Sequence, residues 1–199
     1  MLLASVNLNK RVGAAGARAN LAAWLREHRV KVLLAQEPFK PADRTPPAIG
    51  GFTFAGGDGG LAVWVSEDLL PPRVSSPRPW VQRVELEWLV VLQIHLDAYT
   101  STNRATQLAE LAEMVVAEQE RPLLVCGDFN LAPRPEDGMF GDDPSSFTSE
   151  AERAALRHLI QGAGLVDTTA DGGFHRVGER QPFPDSPVYA VMLAELPLG

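Results

Sequence analysis

RPLLVCGDFNLAP, residues 121–133, decides how the rest of the chain is read. Its apolar run Leu123 to Cys126 halts at Gly127 and then sets Asp128 and Asn130 two residues apart. On an extended strand such residues share one face, so a carboxylate and a carboxamide can converge on a single ligand. Asp-x-Asn is most often just a turn. A strand body can also hold such groups rigidly enough to form the floor of a site. Which use applies depends on the other strands.

Three of them have the same habit. Asn7 follows LLASV, Gln36 and Glu37 follow VLLA, and His95 lies within VVLQIHLD. Taken singly, His95 reads as a core histidine and Glu37, before Pro38, as a solvated loop acid. Together, in one order along one chain, they read as a site. Carboxylate and carboxamide oxygens are hard donors suited to Mg²⁺ or Mn²⁺, which keep several waters and share substrate phosphate. Such a cation polarises a phosphoryl oxygen, stabilises a leaving alkoxide or activates water. The chain has no Cys/His cluster for zinc and no glycine-rich loop ending in Lys for a nucleotide.

At 199 residues, with 45% apolar and 22% charged residues, the composition fits one globular domain over residues 1–199. A net charge of −7 disfavours extended duplex DNA, which calls for many cationic phosphate contacts. A contiguous basic face of Arg73, Arg78 and Arg83 would reverse that expectation. A phosphorylated small molecule or single-stranded nucleic acid remains compatible as a substrate. The single Cys126 precludes an internal disulfide, and no run suits a secretory signal or a membrane span, so a cytoplasmic, membrane-free protein is expected.

The pattern alternates strands and helices with hairpins between them. Strands are expected at 1–9, 30–38, 82–96 (one strand or two), 121–131 and 188–199, and a hairpin at 52–69 around GGDGG. Helices are expected at 15–29, 103–119 and 149–168. The last is opened by a Ser149/Glu152 capping box and closed near Gly162 and Gly164. Residues 132–148 read as loop. A mixed α/β sheet sandwich follows better than a purely parallel doubly wound sheet.

The ordered set Asn7, Gln36-Glu37, Gln93-x-His95 and GDFN (Gly127 to Asn130) resembles the endonuclease/exonuclease/phosphatase superfamily, the Mg²⁺-dependent phosphoesterases related to exonuclease III and DNase I. RATQLAEL, with Arg104 and Gln107, and GLVDT resemble further family segments, so the likeness runs over roughly residues 2 to 169. The resemblance implies a single-domain, two-layered β-sandwich flanked by helices and a Mg²⁺ or Mn²⁺ cofactor. By the same resemblance Glu37 is a metal ligand and Asn7 supports the metal or phosphate. Asp128 orients or deprotonates the attacking water, Asn130 binds phosphate, and His95 donates to the phosphoryl group. Tyr99, Arg104, His175 and Asp185 are further substrate-binding expectations.

Two departures qualify the resemblance. The family's Asn-x-His is here Gln93-x-His95, and no histidine follows His175. PDSPVYAVML aligns with the family's closing Ser-Asp-His strand, with Asp185 near the lost histidine. Alternatively SPVYAVMLAEL aligns with the preceding strand and Tyr189 stands at its Asp. General acid–base groups typically contribute about 10²–10⁴-fold in rate. The sequence therefore supports two functions: a metal-dependent phosphoesterase, or a repurposed member that binds a ligand or partner without hydrolysis.

Overall fold

The computed structural model describes residues 1–40, 46–57, 60–118, 120–132, 148–166 and the backbone of 191–195. His175, Asp185, Tyr189 and residues 133–147 of the expected loop lie outside those residues. Nine strands and three α-helices are described, besides one 3-10 turn at Arg11–Gly13. They are β1 (Leu2–Asn7), α1 (Ala15–Glu27), β2 (Val30–Gln36), β3 (Phe52–Gly57), β4 (Leu61–Ser66) and β5 (Arg73–Arg78). Then follow β6 (Val81–Glu85), β7 (Val90–His95), α2 (Ser101–Ala117), β8 (Leu123–Asp128), α3 (Glu150–Gly162) and β9 (Val191–Glu195).

The strands form two sheets, ordered β3-β4-β2-β1-β9 and β5-β6-β7-β8. The pairs β1–β2 and β7–β8 are parallel, whereas β3–β4, β2–β4, β5–β6, β6–β7 and β1–β9 are antiparallel. This is the expected mixed two-layered sandwich, and its period-2 alternation divides the core into three. Leu3, Val32, Leu34, Val63, Val84, Val91 and Cys126 fill the space between the sheets. Val6, Leu33 and Trp64 face Leu21, Trp24 and Leu25 of α1. Leu92 and Ile94 face Leu108 and Leu111 of α2 and Leu156 and Leu159 of α3. Both faces of β7 are thus covered, which is why its sequence is almost uniformly apolar.

One strand has no counterpart in the sequence expectations. β5 carries Pro77 among mostly exposed residues, and its pairing with β6 slips between Ser75 and Arg78. Its place at a sheet edge explains the tolerance of proline, because an edge strand need not donate every backbone N–H. The α3 capping box forms as expected, with Ser149 and Glu152 each accepting from the other's backbone N–H.

Gly57 and Gly127 are required by backbone approach. A Cβ on Gly57 (φ 130°) would lie 2.2 Å from the Leu61 carbonyl oxygen across the hairpin. One on Gly127 (φ 134°) would lie 2.1 Å from the Ile94 carbonyl oxygen. The glycine of GDFN therefore lets β8 press against β7 just before Asp128.

Candidate functional site

The interior stripes of four strands change character toward one end of the sandwich. β1 runs Leu3, Ser5, Asn7; β2 runs Leu34, Gln36; β7 runs Val91, Gln93, His95; β8 runs Leu124, Cys126, Asp128. Those of β1, β7 and β8 go from apolar filling through a small or neutral polar group to a site residue, and that of β2 ends at Gln36, directly before Glu37. Gln36 donates to Ser5 Oγ at 3.2 Å, and Gln93 Nε2 spans the sheets to donate to the Ala35 carbonyl at 2.7 Å. Gln93, with one methylene more than the Asn of the related motif, thus braces the strand from which Glu37 emerges. Cys126, wholly enclosed below Asp128, has its thiol pushed up to about 12 by burial, against a smaller opposing effect of Ser5. It is a filler and not a nucleophile.

Above this polar layer Asn7 joins the two carboxylates. Its Nδ2 donates to Asp128 Oδ2 at 2.8 Å and to Glu37 Oε1 at 3.4 Å. The Asn9 backbone N–H donates to Asn7 Oδ1 at 2.9 Å, which fixes the amide's orientation because a backbone N–H can only donate. Asn7 therefore turns nitrogen, not oxygen, toward the carboxylates.

Glu37 also meets Lys10 Nζ at 3.0 Å and His95 Nε2 at 3.8 Å. Burial alone would raise its carboxyl, but Lys10, Asn7 and His95 outweigh it and hold Glu37 below the usual carboxylate range. Asp128 Oδ1 accepts from the Asn130 backbone N–H at 2.9 Å, and Asn130 Nδ2 donates to the Leu96 carbonyl at 2.8 Å. Asn9, Lys10, Glu37 and Asn130 all have left-handed backbones, with φ of 44°, 60°, 45° and 47°. Such strain, outside glycine, concentrates at functional sites.

The structure brings Asn7, Glu37, His95, Asp128 and Asn130 together at one end of the sandwich, while Arg104 is elsewhere. Arg104 was expected at the substrate but is only 3% exposed. It pairs with the fully enclosed Glu152 and donates to the Asp97 carbonyl, joining α2 to α3. Tyr99, by contrast, is 95% exposed on the turn after β7, where Asp97 Oδ1 accepts the backbone N–H groups of Tyr99 and Thr100. Of the arginines considered for a basic face, Arg78 is paired with Glu110, and Arg83 with Glu85 and Glu118. Lys10 is the residue that the motifs did not single out. Its signal is the cationic pair Lys10-Arg11 directly after the polar end of β1.

A family model described as the endonuclease/exonuclease/phosphatase family matches residues 4–188. The chain belongs to that family. It is a family of nucleases and phosphatases, enzymes of phosphoester cleavage. No curated protein matches the chain in sequence. Among solved structures, an AP endonuclease from Archaeoglobus fulgidus aligns with TM-score 0.61 and 20% identity, over 81% of this chain and 70% of that one. The 3'-5' exonuclease NExo from Neisseria meningitidis aligns with TM-score 0.59 and 21% identity, over 81% and 71%. A variant of the 3' phosphatase NExo from Neisseria, bound to product DNA hairpin, aligns with TM-score 0.57 and 20% identity, over 81% and 70%. At these identities the likeness establishes the DNase I-like fold.

Proposed function

We propose that this family member is a Mg²⁺- or Mn²⁺-dependent phosphoesterase whose substrate is a nucleic-acid phosphate ester, short or single-stranded at the site of attack. The observation that carries the reading is the Asn7 bridge, which holds two carboxylates side by side at the mouth of the sandwich. Among the described residues no three Asp, Glu, His or Cys groups form a ready-made metal cage. Mg²⁺ takes one or two carboxylates and completes its shell with water and substrate phosphate. Glu37, kept ionised and already facing an ammonium group, has the chemistry to hold the ion. When bound, the ion supplies Lewis-acid polarisation of the phosphate.

The other roles fall to groups already fixed. Asp128 keeps a lone pair on each oxygen beyond those taken by Asn7 and Asn130, so it can accept a proton from the attacking water. Asn130 has one Nδ2 hydrogen left after Leu96, and His95 a ring nitrogen beside Glu37; both can donate to phosphoryl oxygens as negative charge grows. Nucleic acid is supported by the neighbours that act on DNA, and a short contact by the net charge of −7. Action in the cytoplasm fits the lone, enclosed Cys126.

Asp185, standing in PDSPVYAVML near the place of the related motif's histidine, favours a second reading, a repurposed member that binds phosphate without turning it over. Hydrolysis of an activated phosphodiester and of a 3'-phosphorylated oligonucleotide, with and without Mn²⁺, separates the two. Metal-dependent turnover is expected, falling about 10²-fold or more in Glu37→Gln and in Asp128→Asn. Turnover in the intact protein no greater than in both variants would leave only the binding role.

A further inference from the structure

Lys10 is held at Glu37 by more than its side chain. Beyond the end of β1 the chain stays fastened to β2: Leu8 N–H donates to the Gln36 carbonyl at 2.8 Å and Lys10 N–H to the Glu37 carbonyl at 2.7 Å. Glu37 N–H in turn donates to the Gly60 carbonyl at 3.0 Å. Lys10 and Glu37 are therefore neighbours through the backbone and again through the ammonium–carboxylate contact of 3.0 Å. Both have left-handed backbones, which are strained for a side-chain-bearing residue and which glycine would adopt freely. An ordinary surface ion pair has neither the tether nor the strain. A lysine kept in this conformation points to a use for its charge.

The charges identify that use. Glu37 and Asp128 place two negative groups at Asn7, and Lys10 supplies the ammonium among the described residues that contact them. A metal ion drawn to Glu37 meets a carboxylate whose Oε2 is already held by Lys10, while Oε1 faces Asn7 and His95. Two cations cannot share that oxygen without strong mutual repulsion. Repulsion between the ion and the ammonium favours the ammonium's departure, while its backbone stays fastened beside the site. The anion that arrives there is the substrate's phosphate.

We propose that Lys10 is a tethered place-holder for the metal: it neutralises Glu37 in the metal-free protein, weakens metal binding by competing for that carboxylate, and once displaced becomes a ligand of the substrate phosphate. The inference rests on the metal-dependent reading above and adds a residue that moves from carboxylate to phosphate between two states. It ties metal affinity and phosphate affinity to one side chain, with opposite signs.

The test is calorimetric titration of the full chain with Mn²⁺, and of the Mn²⁺-loaded protein with inorganic phosphate. Lys10→Met keeps most of the stem and removes the charge. Lys10→Gly also relieves the left-handed backbone, so at least one variant folds, as thermal unfolding verifies. Both are expected to bind Mn²⁺ about five-fold more tightly and phosphate about five-fold more weakly. In a Glu37→Gln background, Lys10→Met is expected to leave the residual Mn²⁺ affinity unchanged. Mn²⁺ affinity that is unaltered or weakened in both variants overturns the inference, and so does unaltered phosphate affinity. If the unsubstituted protein takes up no Mn²⁺ at all, the metal-dependent reading fails and this inference goes with it.

Discussion

Single atoms decide two features of the candidate site. Gly127 allows β8 to approach the Ile94 carbonyl more closely than any Cβ permits. Gly127→Ala is expected to lose about 3 kcal/mol or more in urea-monitored unfolding, since backbone on both sides of the clash must shift. The phosphate chemistry proposed for Asp128 should suffer as well. Cys126, one residue earlier, gives a chemical probe of the same spot. Its thiol is enclosed and pushed up to about 12, so iodoacetamide at pH 8 should leave it unmodified in the folded protein and alkylate it readily in denaturant. Rapid alkylation without denaturant would show that the space between the sheets opens. At this scale much was legible in the sequence: GDFN and Gln36-Glu37 announced themselves through polar groups at the ends of apolar strands. Lys10 did not, because its importance depends on a left-handed turn that brings it back against β2, and no local pattern marks that turn.

Among the elements, α2 and α3 are joined by an enclosed polar cluster. Arg104 of α2 meets Glu152 of α3, and Ser101 Oγ donates to the same carboxylate at 2.8 Å. Glu152 accepts in addition from the Ser149 backbone as half of the capping box. Burial by itself would raise Glu152, but Arg104, Ser149 and Ser101 overcome it and hold the carboxyl below its ordinary 4.5. A depressed folded value means that the cluster stabilises fully above about pH 4.5, and that this contribution fades as pH falls through the lower folded value. Unfolding free energies measured from pH 7 to pH 3 should show that decline, and Glu152→Gln should flatten it. At pH 7 the same substitution should cost about 3–5 kcal/mol by leaving Arg104 enclosed opposite a neutral group. The sequence announced the capping box plainly. It misassigned Arg104 to substrate because a helix following the histidine strand looks the same whether its arginine faces solvent or a second helix. β5 stayed hidden for a related reason: its proline erases the strand signature, and only an edge position makes it acceptable.

Across the whole molecule, the mixed sandwich could be read from strands, helices and hairpins in alternation, whereas the division of the core into three emerged only with the structure. The inter-sheet distances could not be read either, since they depend on how side chains of separate strands fill one space. That filling has a consequence for reactivity. Asn7 and Glu37 come from one sheet and His95 and Asp128 from the other, so the sandwich is a pair of jaws and its apolar interior is the shim between them. Leu34→Ala, two residues below Gln36 in the shim, should cost about 2–5 kcal/mol and weaken Mn²⁺ binding. Leu111→Ala, on the far side of the second sheet, should cost about as much and leave Mn²⁺ binding intact; calorimetry on both distinguishes thickness from stability. The bite of such jaws is adjustable from a place that substrate never visits. Drift in hydrophobic filling alone could then retune, or disable, a phosphoesterase whose reacting groups are all still present.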